Sequence, residues 1–253
     1  MFPIIQLGPL AVQVPGLLLL AGLWVGLSLT EKEAARLKQN PERVYTLAFA
    51  GLVAGLIGAR LWYASQYLSL YAASPLALLS LNPSTLNPAG GLAIGIIAAA
   101  VYASRKRMPA RLTLDALAPG LATLGIALAL AHWSSGDAFG APARLPWSIF
   151  LWDDYRHPSQ VYELIAALAV LGIWRWRRDR RPFDGAGFLL VFALSASSRV
   201  FLEAFRGDSL ITFAGLRTAQ LWGLAAVAAS LAAMDRWGRA AGEQGGGGTA
   251  EVD

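Results

Sequence analysis

The sequence predicts an all-α polytopic membrane protein of about seven transmembrane helices, with the N-terminus outside and the C-terminus inside. Three observations carry that expectation. Apolar residues make up 56% of the 253 and charged residues only 15%, a balance foreign to soluble domains. The apolar residues gather into runs with few charges, each near the length that crosses a hydrocarbon core. Lysine and arginine collect in every second connection between these runs, as retention on the cytoplasmic side requires.

The first run is 10–30. Met1 to Thr30 carries no charge, so the segment lacks the basic start of a signal peptide and reads as a retained span. The second, 46–69, holds Arg60, preceded by Gly51, Gly55 and Gly58, whose spacing suits close helix packing. The third, 90–104, starts at Gly90-Gly91, which either lets backbone approach a phosphate or makes a tight turn. The fourth, 112–132, closes on His132 beside Trp133. The fifth, 158–174, opens on a polar stretch; the sixth, 186–205, ends with Arg199 and Glu203; the seventh is 216–234. We expect one transmembrane domain over 1–240, with an outer connection at 133–157, and a disordered cytoplasmic tail at 241–253, where Gly245 to Gly248 leave nothing to pack.

Charge sets the orientation. Lys32, Arg36, Lys38 and Arg43 follow the first span, Arg105, Lys106, Arg107 and Arg111 the third, Arg175 to Arg181 the fifth, and Arg236 and Arg239 the seventh. These residues account for a pI near 9.8 through topology and anionic lipid, so no nucleic-acid partner is expected. There is no cysteine, hence no disulfide, no thiolate metal site and no cysteine nucleophile, and no cofactor or metal is expected. In this orientation Arg60, His132, the stretch 157–163, Arg199 and Glu203 all fall at the depth of the outer leaflet. The inner half holds Asp115 near its edge.

The stretch Arg156-His157-Pro158-Ser159-Gln160-Val161-Tyr162-Glu163 organises the rest. His157, Gln160 and Glu163 recur at i, i+3 and i+6 and share roughly one helix face. Glu163 is then an ionisable group inside the membrane, which demands a partner or a task. Arg60 costs on the order of 3 kcal/mol in an apolar helix unless paired or hydrated. It reads either as an ion pair with Glu163 or Glu203, or as a guanidinium offered bidentately to a lipid phosphate. Arg199 and Glu203, four apart, lie on one face, as a helix salt bridge or as a bridge that holds Arg199 for an anion. Tyr162 suits an interfacial anchor or a substrate contact, Gln160 an interhelical hydrogen bond or a substrate contact, and His157 a cap or a catalytic role. His132 suits a satisfied boundary histidine. Asp137, Asp153 and Asp154 suit solvated charges, and Ser195, Ser197 and Ser198 suit packing.

These residues also carry a resemblance. His157 to Glu163, reading His-Pro-Ser-Gln-Val-Tyr-Glu, resembles the His-Pro-Ser-Gln-Leu-Tyr-Glu signature of bacterial prolipoprotein diacylglyceryl transferases. Leu7-Gly8-Pro9-Leu10, Gly58-Ala59-Arg60-Leu61, Gly90-Gly91-Leu92-Ala93-Ile94, Pro146-Trp147, Arg199 to Arg206 as Arg-x-x-x-Glu-x-x-Arg, and Gln220 match further family motifs in the same order along nearly the whole chain. The resemblance implies transfer of a diacylglyceryl group from phosphatidylglycerol to the lipobox cysteine thiol of prolipoproteins, at the outer leaflet of the bacterial plasma membrane. Its partners would be that lipid, the prolipoprotein signal peptide and the bilayer. By position it carries over Arg60, His157, Gln160, Tyr162, Glu163, Arg199 and Glu203, with Gly90 and Gly91.

The chain also departs from the family. Gly95 stands where a histidine follows Gly-Gly-Leu-Ala-Ile, and the Gly-Arg-x-Gly-Asn-Phe signature falls on Leu128 to Trp133, with Ala129 for the arginine and His132 for the asparagine. Asp137 replaces the acid that follows, Gln13-Val14-Pro15-Gly16 an aromatic motif, and Ser195 a tyrosine. The reaction must neutralise a leaving phosphate and favour thiolate over thiol. Arg60 and Arg199 suit the first, with Glu203 holding Arg199. His132 is the expected base in place of Gly95, since imidazole titrates near neutrality. The other readings are a silent relative that binds phospholipid or lipoprotein without transfer, and a small-solute transporter. Paired broken helices in repeated halves, which a transporter would show, are missing.

Overall fold

The computed structural model describes residues 4–7, 10–79, 85–209, 211–212 and 215–246. Seven long helices lie among them: α1 (Val14–Arg36), α2 (Pro41–Gln66), α4 (Pro88–Arg105), α5 (Ala110–Ser135), α6 (Ser159–Arg177), α7 (Ala186–Leu202) and α8 (Thr218–Gly246), with a short α3 (Leu68–Ala73) after α2. Five of them, α1, α2, α4, α5 and α7 with the 3-10 turn that continues it, are long and apolar enough to cross a membrane. α6 opens on a polar turn and ends on Arg175 and Arg177, and α8 is apolar mainly in its first half.

The all-α expectation needs a correction. Two antiparallel hairpins are present, β1 (Ile4–Leu7) with β2 (Leu10–Gln13), and β3 (Ile149–Leu151) with β4 (Asp154–Arg156). Leu10–Gln13, expected inside the first span, is therefore strand, and the helix starts at Val14. In the second hairpin Trp152 and Asp153 take φ of 53° and 60°, the left-handed pair that a two-residue turn requires. Gly8-Pro9 and the end of the tail, 247–253, lie outside the described residues, while helix continues past Gly242 to Gly246.

Two helices start earlier than hydropathy indicates, and by one device. Asn40 and Asn87 each accept a hydrogen bond on Oδ1, from the Arg43 amide at 3.0 Å and the Gly90 amide at 2.8 Å, and each is followed by proline at the first helical position. Asn-Pro thus opens α2 at residue 41 and α4 at residue 88.

The chain divides into two compact units. In the unit of residues 34–113, α2 and α4 run antiparallel with Gly51, Gly55 and Ala59 set against Gly95 and Gly91. The approach is close: a Cβ on Gly91 would lie 2.8 Å from both the Ala59 Cβ and the Gly55 carbonyl oxygen, and one on Gly95 2.8 Å from the Gly51 carbonyl oxygen. The small-residue face expected at Gly51 and Gly55 is this seam.

The unit of residues 1–33 with 114–253 is built on α5. Ala118 and Ala122 of α5 pack with Val170 and Trp174 of α6 and Val191 of α7, while α8 lies along α7. Asp115, 1% exposed, caps α7 from a neighbouring helix: its Oδ2 accepts from the Gly185 amide at 2.8 Å and from Arg181 at 3.0 Å, and its Oδ1 from the Phe188 amide at 2.9 Å. A buried carboxylate is satisfied there without water.

Polarity in both units runs inside out. Trp24, Leu56, Leu92, Ile97, Ile165, Trp222 and Leu231 are exposed on their helices, whereas buried helical positions include Thr30, Arg60, Thr113, Asp115, Gln160 and Ser230. Water would penalise that outer surface, and lipid hydrocarbon would not.

Candidate active site

Three elements of the larger unit bring the charged residues of the sequence reading together. α5 carries His132 near its C-terminal end, α6 carries Glu163 in its second turn, and the last turn of α7 runs into a 3-10 turn (Glu203–Phe205), placing Arg199 and Glu203 on one face. His132 Nδ1 lies 3.0 Å from Glu163 Oε2. The other carboxylate oxygen, Oε1, accepts from Arg206 Nη1 at 2.9 Å and from Arg199 Nη1 at 3.2 Å. Arg199 Nε is 3.1 Å from Glu203 Oε2, and Ser209 donates to Glu203 Oε1 at 2.5 Å. Arg217 Nη1 closes the far side on the backbone carbonyls of Glu203 and Arg206.

The set balances charge. Arg199, Arg206 and Arg217 stand with Glu163, Glu203 and Asp208, so burial of Glu203 to 2% exposure leaves no uncompensated ion. Arg206 binds Asp208 through Nε at 2.9 Å and Nη2 at 2.6 Å, a bidentate fork. Burial pushes the Asp208 carboxyl up, but the Arg206 hydrogen bonds and charge outweigh it and hold that carboxyl below its ordinary value. Burial alone would lower Arg206, whereas Asp208, Glu163 and Glu203 raise it, so it stays a cation. Arg199 differs from its neighbours in being 42% exposed at the side chain, with Nη2 unengaged among the described residues. His132 likewise keeps Nε2 without a partner among them. A carboxylate on Nδ1 fixes the tautomer that carries its proton there, which makes Nε2 the basic nitrogen.

The remaining residues of the polar stretch divide into two groups. Tyr162 receives a hydrogen bond from Trp147 Nε1 at 2.8 Å and its hydroxyl is 3.4 Å from His157 Nδ1, and both rings pack edge-on against Phe205. Ser159 and Gln160 tie α6 to the preceding connection, Ser159 Oγ donating to the Ala138 carbonyl at 2.5 Å and Gln160 Nε2 to that of Asp137 at 2.9 Å. Gln160 is fully buried, and its Oε1 has no hydrogen-bond partner.

In the smaller unit, Arg60 is buried and binds carbonyls rather than a carboxylate. Nε donates to Leu78 O at 3.1 Å, Nη1 to Thr85 O at 3.2 Å and Nη2 to Ala77 O at 2.5 Å, with the Tyr71 ring 5.8 Å from the guanidinium carbon. This corrects the ion-pair reading: backbone acceptors in the connection between α2 and α4 compensate the arginine. Gly90 and Gly91 stand at the start of α4, their amides bonded to Oδ1 and O of Asn87. Gly95 lies in the helix seam.

Sequence reasoning gave Arg206 only as a motif letter and Asp208, Ser209 and the carbonyl-binding role of Arg217 not at all. The Arg-x-x-x-Glu-x-x-Arg spacing did contain a signal, since its last arginine falls one turn beyond Glu203.

The larger unit thus holds a histidine–carboxylate pair beside a charge-balanced arginine cluster, on helices of a membrane protein. The chain belongs to the prolipoprotein diacylglyceryl transferase family, whose model matches residues 3–235. It is similar to proteins named phosphatidylglycerol--prolipoprotein diacylglyceryl transferase from Synechococcus elongatus, 28% identical over 244 residues, covering 89% of this chain and 83% of the relative, and from Nostoc sp., 27% identical over 250 residues, covering 91% and 87%. A third, from Clostridioides difficile, is 28% identical over 215 residues, covering 84% and 85%.

Proposed function

We propose that this chain moves a diacylglyceryl group from phosphatidylglycerol to the cysteine thiol of a prolipoprotein, at the outer leaflet of a bacterial plasma membrane. Family membership and the names of its relatives support the reaction. The single observation that carries the site is the shared carboxylate of Glu163, which holds His132 by one oxygen and Arg199 by the other.

In this reading His132 Nε2 takes the proton of the acceptor thiol. The thiolate sulfur attacks the terminal glycerol carbon of the diacylglyceryl group, the carbon–oxygen bond to phosphate breaks, and glycerol phosphate leaves with the bond electrons. A thioether results, and the imidazolium returns its proton to the leaving phosphate or to water. Arg199 Nη2 supplies the donor to the phosphate oxygens as charge moves onto them. Glu163 stabilises the imidazolium and fixes the ring, and Glu203, held by Ser209 on its other oxygen, keeps a negative charge 3.1 Å from Arg199 Nε. A thiol of pKa about 8.5 is only a few per cent ionised at neutral pH, so a positioned base contributes roughly 10² to 10⁴ in rate. Tyr162 and His157, at the start of α6, serve substrate contact in this reading, whereas Gln160, fully buried and bonded to the Asp137 carbonyl, holds that turn in place instead of touching substrate, and Gly90 and Gly91 with Arg60 shape the start of α4.

The seven long helices then serve as seven spans with the N-terminus outside, which leaves the connections 31–45, 105–111 and 175–184 in the cytoplasm. Single cysteines in this cysteine-free chain report the sidedness: an impermeant reagent should label Ala141 substituted by cysteine and spare Asp179 so substituted. For the reaction, purified protein in phosphatidylglycerol liposomes with a lipobox peptide should give the peptide's diacylglyceryl mass shift. Lipid binding with no mass shift would replace this reading with that of a silent relative.

A further inference from the structure

A second charged site lies in the unit of residues 34–113. α1 and α4 end alike. The amides of Lys38 and Gln39 turn back to the carbonyls of Ala35 and Ala34, both at 3.0 Å, and those of Arg107 and Met108 to Ser104 and Ala103, at 3.1 and 2.9 Å. Each closure sets one residue in the left-handed region, Lys38 at φ 57° and Arg107 at φ 49°. Glycine is the residue of least strain at such a helix end, because a Cβ there crowds the carbonyl. Both places hold a long cation instead.

These cations converge. Lys38, Arg43, Lys106 and Arg107 line one cleft of about 200 Å³, with Gln39 and Leu112 among its other walls, and no carboxylate lines it. None of the four has an ion-pair partner among the described residues. Gln39 Oε1 accepts from Thr113 Oγ1 at 3.2 Å, while its Nε2, shielded from solvent, has no acceptor. Four like charges around a small concavity repel one another, and an unmet amide donor adds to that cost. One bound anion relieves the repulsion. Retention of cytoplasmic loops needs only charge somewhere in the loop. It does not need the charges gathered on one cleft, nor set on strained backbone.

We propose that this cleft binds a phosphate ester or phosphate anion, the chemistry shared by a lipid headgroup and a free phosphate. The site stands apart from the transfer reaction and does not depend on it.

The chain's three lysines provide the test, since Lys38 and Lys106 line the cleft and Lys32 does not. Full-length protein is acetylated with an amine-reactive ester, with site-resolved mass spectrometry, in detergent with and without inorganic phosphate, and in phosphatidylcholine nanodiscs with and without phosphatidic acid. The anion should slow modification of Lys38 and Lys106 and leave Lys32 unchanged. In the Lys38→Gly, Arg107→Gly double variant, which removes two cations while relaxing both helix ends, the phosphate concentration that protects Lys106 should rise at least about tenfold. Thermal stability of that variant should hold or improve, which separates lost binding from lost fold. Protection only in phosphatidic acid nanodiscs identifies a lipid headgroup, and protection by phosphate alone a soluble anion. Equal protection of all three lysines, no protection in either medium, or undiminished protection of Lys106 in the variant overturns the proposal.

Discussion

Glu163 Oε2 lies 3.0 Å from His132 Nδ1, and its partner oxygen Oε1 lies 3.2 Å from Arg199. One carboxylate therefore orients both the candidate base and the candidate phosphate ligand. Glu163→Gln keeps the shape and removes the charge, so transfer should fall by about 10² or more. An unaltered rate, from protein whose melting is unchanged, would remove Glu163 from the positioning role.

Gly95 makes a different kind of prediction. The family histidine belongs at that position, yet a side chain there meets the Gly51 carbonyl across the α2–α4 seam. Gly95→His should not restore a base. Overpacking of this size typically costs about 1–3 kcal/mol, so the variant should melt earlier than wild type, with Gly91→Ala behaving similarly at smaller cost. Higher activity with unchanged melting would show that the seam opens.

Arg60 binds three carbonyls between α2 and α4. Lysine has three donors but no planar fork and cannot reach three divergent acceptors in that plane. Arg60→Lys should therefore destabilise nearly as much as Arg60→Ala, by roughly 2–4 kcal/mol at a buried charge-assisted site. Thermal unfolding in a fixed detergent checks this, and a lysine variant as stable as wild type would refute the carbonyl-cage account.

Asp208 gives the pH dependence. Its carboxyl is held below its ordinary value by Arg206, so its stabilising contribution is complete above the unfolded value of about 4 and is lost as pH falls through the lower folded value. Wild type should lose more stability than Asp208→Asn across that acid window, and the two curves should run parallel above it. The comparison needs only unfolding curves over a pH series, and divergence at neutral pH would contradict it.

Much of this was legible in the sequence, and the reasons for the rest are physical. Apolar runs located the helices, five of which among the described residues are long and apolar enough to cross a membrane, because span length is fixed by the bilayer. An ionisable Glu163 announced that it needed a partner. Which partner could not be read, since His132 lies 31 positions away and only packing turns the two faces together. Arg60 misled because carbonyl acceptors have no side-chain signature, and pairing with a carboxylate was the visible alternative. The hairpins escaped because three- and four-residue strands in an apolar context carry no usable alternation. Asn40-Pro41 and Asn87-Pro88 were available as helix starts, but hydropathy windows do not register caps.

His132→Asn tests the central claim most directly, because it restores the residue of the family signature while deleting the basic nitrogen. Purified wild type and variant are compared for diacylglyceryl transfer to a lipobox peptide in phosphatidylglycerol liposomes, with melting and lipid binding measured alongside. The variant should bind lipid and stay folded while turnover falls by roughly 10² to 10⁴. Turnover equal to wild type would exclude His132 as the base and move the search to His157.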